Sequence, residues 1–139
     1  MKPTTLLSVT TLLLTTAAAA QIPGPHRPGP HGLSAWKISA PLPNPDGTPN
    51  PSGELTAYRL IIARNAHPIL TITPDNLLWK WTFLADGRRL AYQSGPLHFS
   101  MGCYLVALPS GHRLAHFNCT DDQAPNTPAW VKTLNQAPE

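Results

Sequence analysis

The chain has 139 residues, ten Lys or Arg against seven Asp or Glu, 42% hydrophobic residues, seventeen prolines and two cysteines. That length carries one modest hydrophobic core, not two separate ones. A formal charge of +3 spread without any Lys/Arg run excludes the basic stripe of a nucleic-acid or anionic-lipid binder.

The first stretch, "MKPTTLLSVTTLLLTTAAAA", places Lys2 before an apolar run from Leu6 to Leu14 and ends on small residues at Ala18 and Ala20. This is the order of a secretory signal peptide, so residues 1–20 are expected to be removed and the mature chain to start at Gln21. Nowhere else is there a run of about 18 apolar residues that would span a membrane. The mature protein is therefore expected to be secreted and extracellular, in surroundings that permit disulfides.

Residues 21–32 read "QIPGPHRPGPHG", with Pro23-Gly24-Pro25-His26 nearly repeated as Pro28-Gly29-Pro30-His31. Proline fixes φ and removes a backbone donor, which predicts a flexible or extended arm. His26 and His31 lie five positions apart with no carboxylate or cysteine beside them, too few donors for a preformed metal site.

Residues 33–135 read as a single β-rich domain. "LSAWKIS" alternates as a first strand, a proline-rich loop occupies residues 41–53, and "ELTAYRLIIA" and "ILTIT" follow as strands. In "LLWKWTFLADGRRLAYQS", Asp86-Gly87 separates two apolar runs and suits a turn that needs positive φ. Strand alternation would put Leu77, Trp79, Trp81 and Phe83 on one side, a row that either builds the core or forms an aromatic platform. "PLHFS" is expected to continue the sheet.

The stretch "CYLVALPSGHRLAHFNC" contains both cysteines. With Pro109 to His112 as a loop, Cys103 faces Asn118 and the two sulfurs miss registry by one residue. A one-residue bulge or an odd-length loop places Cys103 opposite Cys119 and Leu105 opposite Phe117, so the register that closes the bond also assembles an apolar face. An intramolecular Cys103–Cys119 disulfide is the expectation, contributing roughly 3 kcal/mol by loop-closure entropy. Asn118-Cys119-Thr120 is an N-x-T triplet, which with a leader makes Asn118 an N-glycosylation candidate.

"NTPAWVKTL" predicts one short helix, with Thr127 as cap, Pro128 in the first turn and Trp130 and Leu134 on one face; residues 136–139 form a tail. The fold class is thus mainly β, a small antiparallel β-sandwich or partly open β-barrel with a short C-terminal helix.

No H-E-x-x-H, G-x-S-x-G, Walker A or dinucleotide fingerprint occurs, and no pair of the seven acids is singled out by spacing, so no catalytic, metal or cofactor-binding residue is assigned. The leading expectation is a non-catalytic extracellular binding or interaction protein, its partner a protein or glycan. The alternative is a carbohydrate-binding module that uses exposed aromatic residues, with Trp36, Trp79, Trp81 and Tyr92 as contacts.

The leader, the single disulfide, the compact β domain and the closing arrangement "GCYLVALPSGHRLAHFNCT...PAWVKTL" together resemble small secreted proteins of filamentous fungi, including effector candidates. The resemblance covers the overall organisation of the chain. It implies an extracellular role, toward a host macromolecule or at the producing cell's own surface or matrix.

Overall fold

A computed structural model describes residues 20–98, 100–120 and 124–139. The expected signal peptide, except for Ala20, lies outside these residues. Among these residues two antiparallel sheets form a sandwich, and one α-helix packs on the far side of one of them.

The first sheet contains β1 (Ile22–Pro23), β2 (Arg27–Pro28), β3 (Leu33–Pro41), β4 (Leu55–Arg64) and β5 (His67–Ile72). Its order is β1-β3-β4-β5, with β2 also pairing to β3. The second sheet is a meander of β6 (Leu77–Phe83), β7 (Arg89–Gly95), β8 (Gly102–Ala107) and β9 (Arg113–Asn118). The helix, α1, spans Ala129–Asn135.

Alternate residues of facing strands build the core between the sheets. Leu33, Ala35, Leu60, Ile62 and Ile72 from the first sheet meet Leu78, Trp81, Leu90, Tyr92 and Val106 from the second. A second apolar cluster lies on the opposite face of the meander, where Ala91, Cys103, Leu105 and Cys119 pack under Val131 and Leu134 of α1. β7 is covered on both faces, which explains why Leu90, Ala91 and Tyr92 are all buried in succession. Ala91 provides the small side chain that lets the helix approach.

The arm at residues 21–32 is extended and docks on the first sheet. Ile22 pairs with Ser39, Pro23 with Ile38, Arg27 with Ala35 and Pro28 with Ser34, so the arm lies along the edge of β3. Proline tolerates this position because an edge strand directs only some of its N–H groups toward a neighbour. Arg27 fastens the arm across the sandwich: Nη2 donates to the Trp81 carbonyl at 3.2 Å, and the guanidinium lies 3.9 Å from the centre of the Trp81 ring. Gly29 permits the approach, since a Cβ there would fall 2.2 Å from Phe83. His26 stacks on Trp36 with ring centroids 3.9 Å apart.

Three further expectations are corrected by local geometry. The register of β6 and β7 shifts between Leu78 and Lys80, a bulge at Trp79 that exchanges the faces of the strand before and after it. Leu78 and Trp81 consequently share the core face, and the row of Leu77, Trp79, Trp81 and Phe83 does not form. At the helix, Pro128 and not Thr127 stands at the N-cap, while the Thr127 hydroxyl donates to the Ala124 carbonyl at 2.7 Å. The strand expected over "PLHFS" is also absent among its described residues, because β7 ends at Gly95.

The disulfide joins Cys103 and Cys119, with Cα atoms 5.8 Å apart. Its register differs from the expected one. Cys103 pairs with Phe117 and Leu105 with Ala115, so Cys119 is the diagonal neighbour of Cys103, two residues beyond its partner Phe117. Diagonal residues two apart share a sheet face, so both sulfurs still enter the helix-side core. The irregularity between Leu105 and Val106 lies nearer the loop than the cysteines.

Candidate functional site

Two clefts open at the loops that join these strands. The larger, about 750 Å³, lies where the turn at Pro30–Gly32, the end of β4, the β6–β7 turn and the end of β8 meet. His31, Arg64, Asp86, Arg88, Arg89 and Leu108 line it. Three arginines against one aspartate leave it two net positive charges with His31 neutral.

Backbone hydrogen bonds fix these walls relative to one another. Asn65 N–H donates to the Gly32 carbonyl at 2.9 Å, Leu108 N–H to the Arg88 carbonyl at 2.8 Å and Leu84 N–H to the Arg89 carbonyl at 2.9 Å. Gly87 takes φ 65°, and a Cβ there would fall 2.3 Å from the His31 ring, so glycine is required both by its dihedral and by the histidine against it. The Asp86 carboxylate accepts from Arg88 N–H at 2.9 Å and from Arg89 Nε at 2.7 Å. Those donors, the Arg88 amide first, hold its carboxyl below the usual aspartate value. Arg64 Nε is buried and has no acceptor among the described residues.

The smaller cleft, about 100 Å³, is lined by Asp75, Tyr92, Ser94, Tyr104 and Arg113 among others. Tyr92, Tyr104 and His116 are cross-strand neighbours and stack as a ladder, with centroid separations of 5.1 and 4.8 Å. The Arg113 guanidinium lies 4.5 Å from the centre of the Tyr104 ring. Tyr92 sits at the buried end of the ladder and His116 at the exposed end. Burial pushes the Tyr92 phenol above its ordinary value, against the opposing influence of Arg113.

The aromatic residues expected as ligand contacts do not assemble into one surface. Trp81 is 3% exposed and Tyr92 is 5% exposed, both within the core between the sheets, so neither presents a ring face to solvent. Trp79 is half-buried, its indole N–H donating to the Gly95 carbonyl at 2.8 Å. Trp36 is half-buried beneath His26. In the Tyr92–Tyr104–His116 ladder the exposed ring is His116, which alternation alone does not connect with Tyr104.

Asn118 is exposed at the end of β9, and its Oδ1 accepts from the Thr120 amide at 3.0 Å and the Thr120 hydroxyl at 2.7 Å. Among the described residues no three His, Cys, Asp or Glu side chains come together as a metal site, and no helix is long and apolar enough to cross a membrane. Neither a protein-family model, nor a curated protein, nor a solved structure matches the chain.

Sequence reasoning missed the larger cleft. Arg88 and Arg89 follow the Asp86-Gly87 turn in sequence, and nothing local connects them with Arg64 or His31. The sheet pairing makes that connection by closing β3 on β4 and β7 on β8.

Proposed function

We propose that the protein is a secreted, non-catalytic binding protein of effector-like organisation, whose recognition surface is the cleft between Arg64 and Arg88. The observation that carries this reading is the meeting of four separate segments at one cleft with hydrogen-bonded walls, two of which, the end of β4 and the β6–β7 turn, bring its charged side chains Arg64, Asp86, Arg88 and Arg89 together. Binding sites favour such concave, largely pre-formed places, where loops carry specificity and a paired sheet fixes their positions. The leader supplies the extracellular destination, and Asn118 is the glycan acceptor of the secreted form, on an exposed strand end away from the Arg64 cleft.

A glycan array probed with the secreted protein tests this reading. Capture on a defined set of glycans, lost in the Arg64→Gln/Arg88→Gln double variant with the thermal transition retained, is the expected result. Capture that is equal for both proteins, or absent throughout, contradicts it. Removal of mass by a glycosidase from wild type but not from Asn118→Gln tests the modification.

The second reading is a carbohydrate-binding module acting through the aromatic ladder. The exposed His116 ring, continued by Tyr104 and flanked by Arg113 and Asp75, favours it. Under this reading His116→Ala abolishes capture of neutral glycans, and retention of capture rules it out.

A further inference from the structure

The charge that lines the larger cleft is unbalanced. Its three arginines face a single carboxylate, and that carboxylate is engaged by the Arg88 amide and the Arg89 side chain. Among the described residues, neither Arg64 nor Arg88 has a carboxylate within ion-pair distance. Arg64 in addition holds Nε buried without an acceptor. A buried donor without a partner is costly, and an acceptor delivered by a ligand relieves that cost.

Guanidinium groups present planar forks of N–H donors that match the oxygens of phosphate and sulfate, commonly two at a time. The volume of about 750 Å³ far exceeds a single tetrahedral ion and falls in the range of small organic ligands. The His31 ring, held against Gly87 at the rim, provides a flat face and a further polar atom beside the arginines.

We infer that the cleft between Arg64 and Arg88 is an oxyanion site that takes the phosphate or sulfate ester of a sugar. This rests on the reading of the same cleft as the recognition surface, and it assigns the ligand's chemistry. The ester oxygens accept from Arg64 and Arg88, and the sugar occupies the remaining volume toward His31 and Leu108. Arg89 stays paired with Asp86 and contributes long-range attraction.

The experiment is amide and arginine-side-chain NMR on the mature protein at constant ionic strength, titrated separately with inorganic phosphate, glucose 6-phosphate, glucose 6-sulfate and glucose. Saturable shifts confined to His31, Arg64, Gly87, Arg88 and Leu108 are expected for the two esters. Inorganic phosphate should bind more weakly at the same residues, and glucose should not bind. Equal affinity for inorganic phosphate and the esters would overturn the sugar assignment.

Arg88→Gln, at an exposed turn, should weaken ester binding about tenfold with folding intact, as expected for loss of one charge-assisted contact. Arg64→Lys retains the charge without the fork and should weaken it as well. Non-saturating shifts spread over Arg59, Lys80 and Lys132, or unchanged affinity in Arg88→Gln, would overturn the inference. The two readings fail separately. Array capture that Arg88→Gln abolishes but glucose 6-sulfate does not compete leaves the binding surface standing and removes the oxyanion, whereas specific ester shifts without any array capture do the reverse.

Discussion

Replacing both cysteines by alanine separates what the disulfide contributes through the chain from what it contributes through packing. The two positions are 16 apart in sequence. Closing a loop of that size removes unfolded-state entropy equivalent to about 3 kcal/mol at room temperature. Cys103 is fully buried and Cys119 is 7% exposed, in the cluster that also holds Leu105, Val131 and Leu134. Loss of the two sulfurs from that cluster costs roughly another 1–2 kcal/mol at about 0.8 kcal/mol for each group of methylene size.

The double variant should therefore be about 4–5 kcal/mol less stable in urea unfolding. Reduction of the wild-type protein under denaturing conditions, followed by refolding with thiols maintained, should show the chain term alone. That term lowers Tm by about 12 °C for a domain of this size. A loss below about 1 kcal/mol in the double variant would refute the reasoning, because neither the constraint nor the buried contacts would then count. A large loss in the variant with no loss on reduction would refute the entropic part only.

Three other outcomes follow from the packing and the charges. Trp81→Ala should destabilise the protein by about 3–5 kcal/mol, whereas Trp79→Ala should cost clearly less because that indole is half-buried; equal losses in thermal melts would contradict the bulge at Trp79. Arg27→Ala removes both the contact with the Trp81 ring and the bond to its carbonyl, and should cost about 2 kcal/mol and abolish hydrogen-exchange protection of the Gly24 amide, which donates to the Lys37 carbonyl. Because burial raises the folded Tyr92 phenol, the unfolded phenol ionises first as pH rises, so its contribution is complete below the ordinary tyrosine value and is lost as pH climbs through the raised folded value. Tyr92→Phe should flatten the decline of stability in that alkaline window, and an unchanged decline would place its origin elsewhere.

Much of the fold is legible where local chemistry decides it. Asp86-Gly87 marks its turn because the turn needs positive φ, and Gly87 has it. The cysteines share a face because residues an even distance apart across a regular pairing do so, and a register two residues from the expected one preserves that parity. The bulge at Trp79 is not legible, because it is tied to an indole finding the Gly95 carbonyl on the neighbouring strand. The arm's docking depends on Arg27 reaching the Trp81 carbonyl across 54 positions of sequence, which proline content does not encode. The same holds for the larger cleft: His31, Arg64 and Arg88 are unremarkable singly and line one cleft only when the sheets bring their loops together.

The most direct test of recognition at the larger cleft is a crystal structure of the mature protein soaked with glucose 6-sulfate. Tetrahedral density within hydrogen-bond distance of the Arg64 and Arg88 guanidinium groups, with the sugar directed toward His31 and Leu108, is the predicted result. An empty cleft at a concentration that saturates binding in solution, or density on the Tyr104–His116 ladder instead, would contradict it.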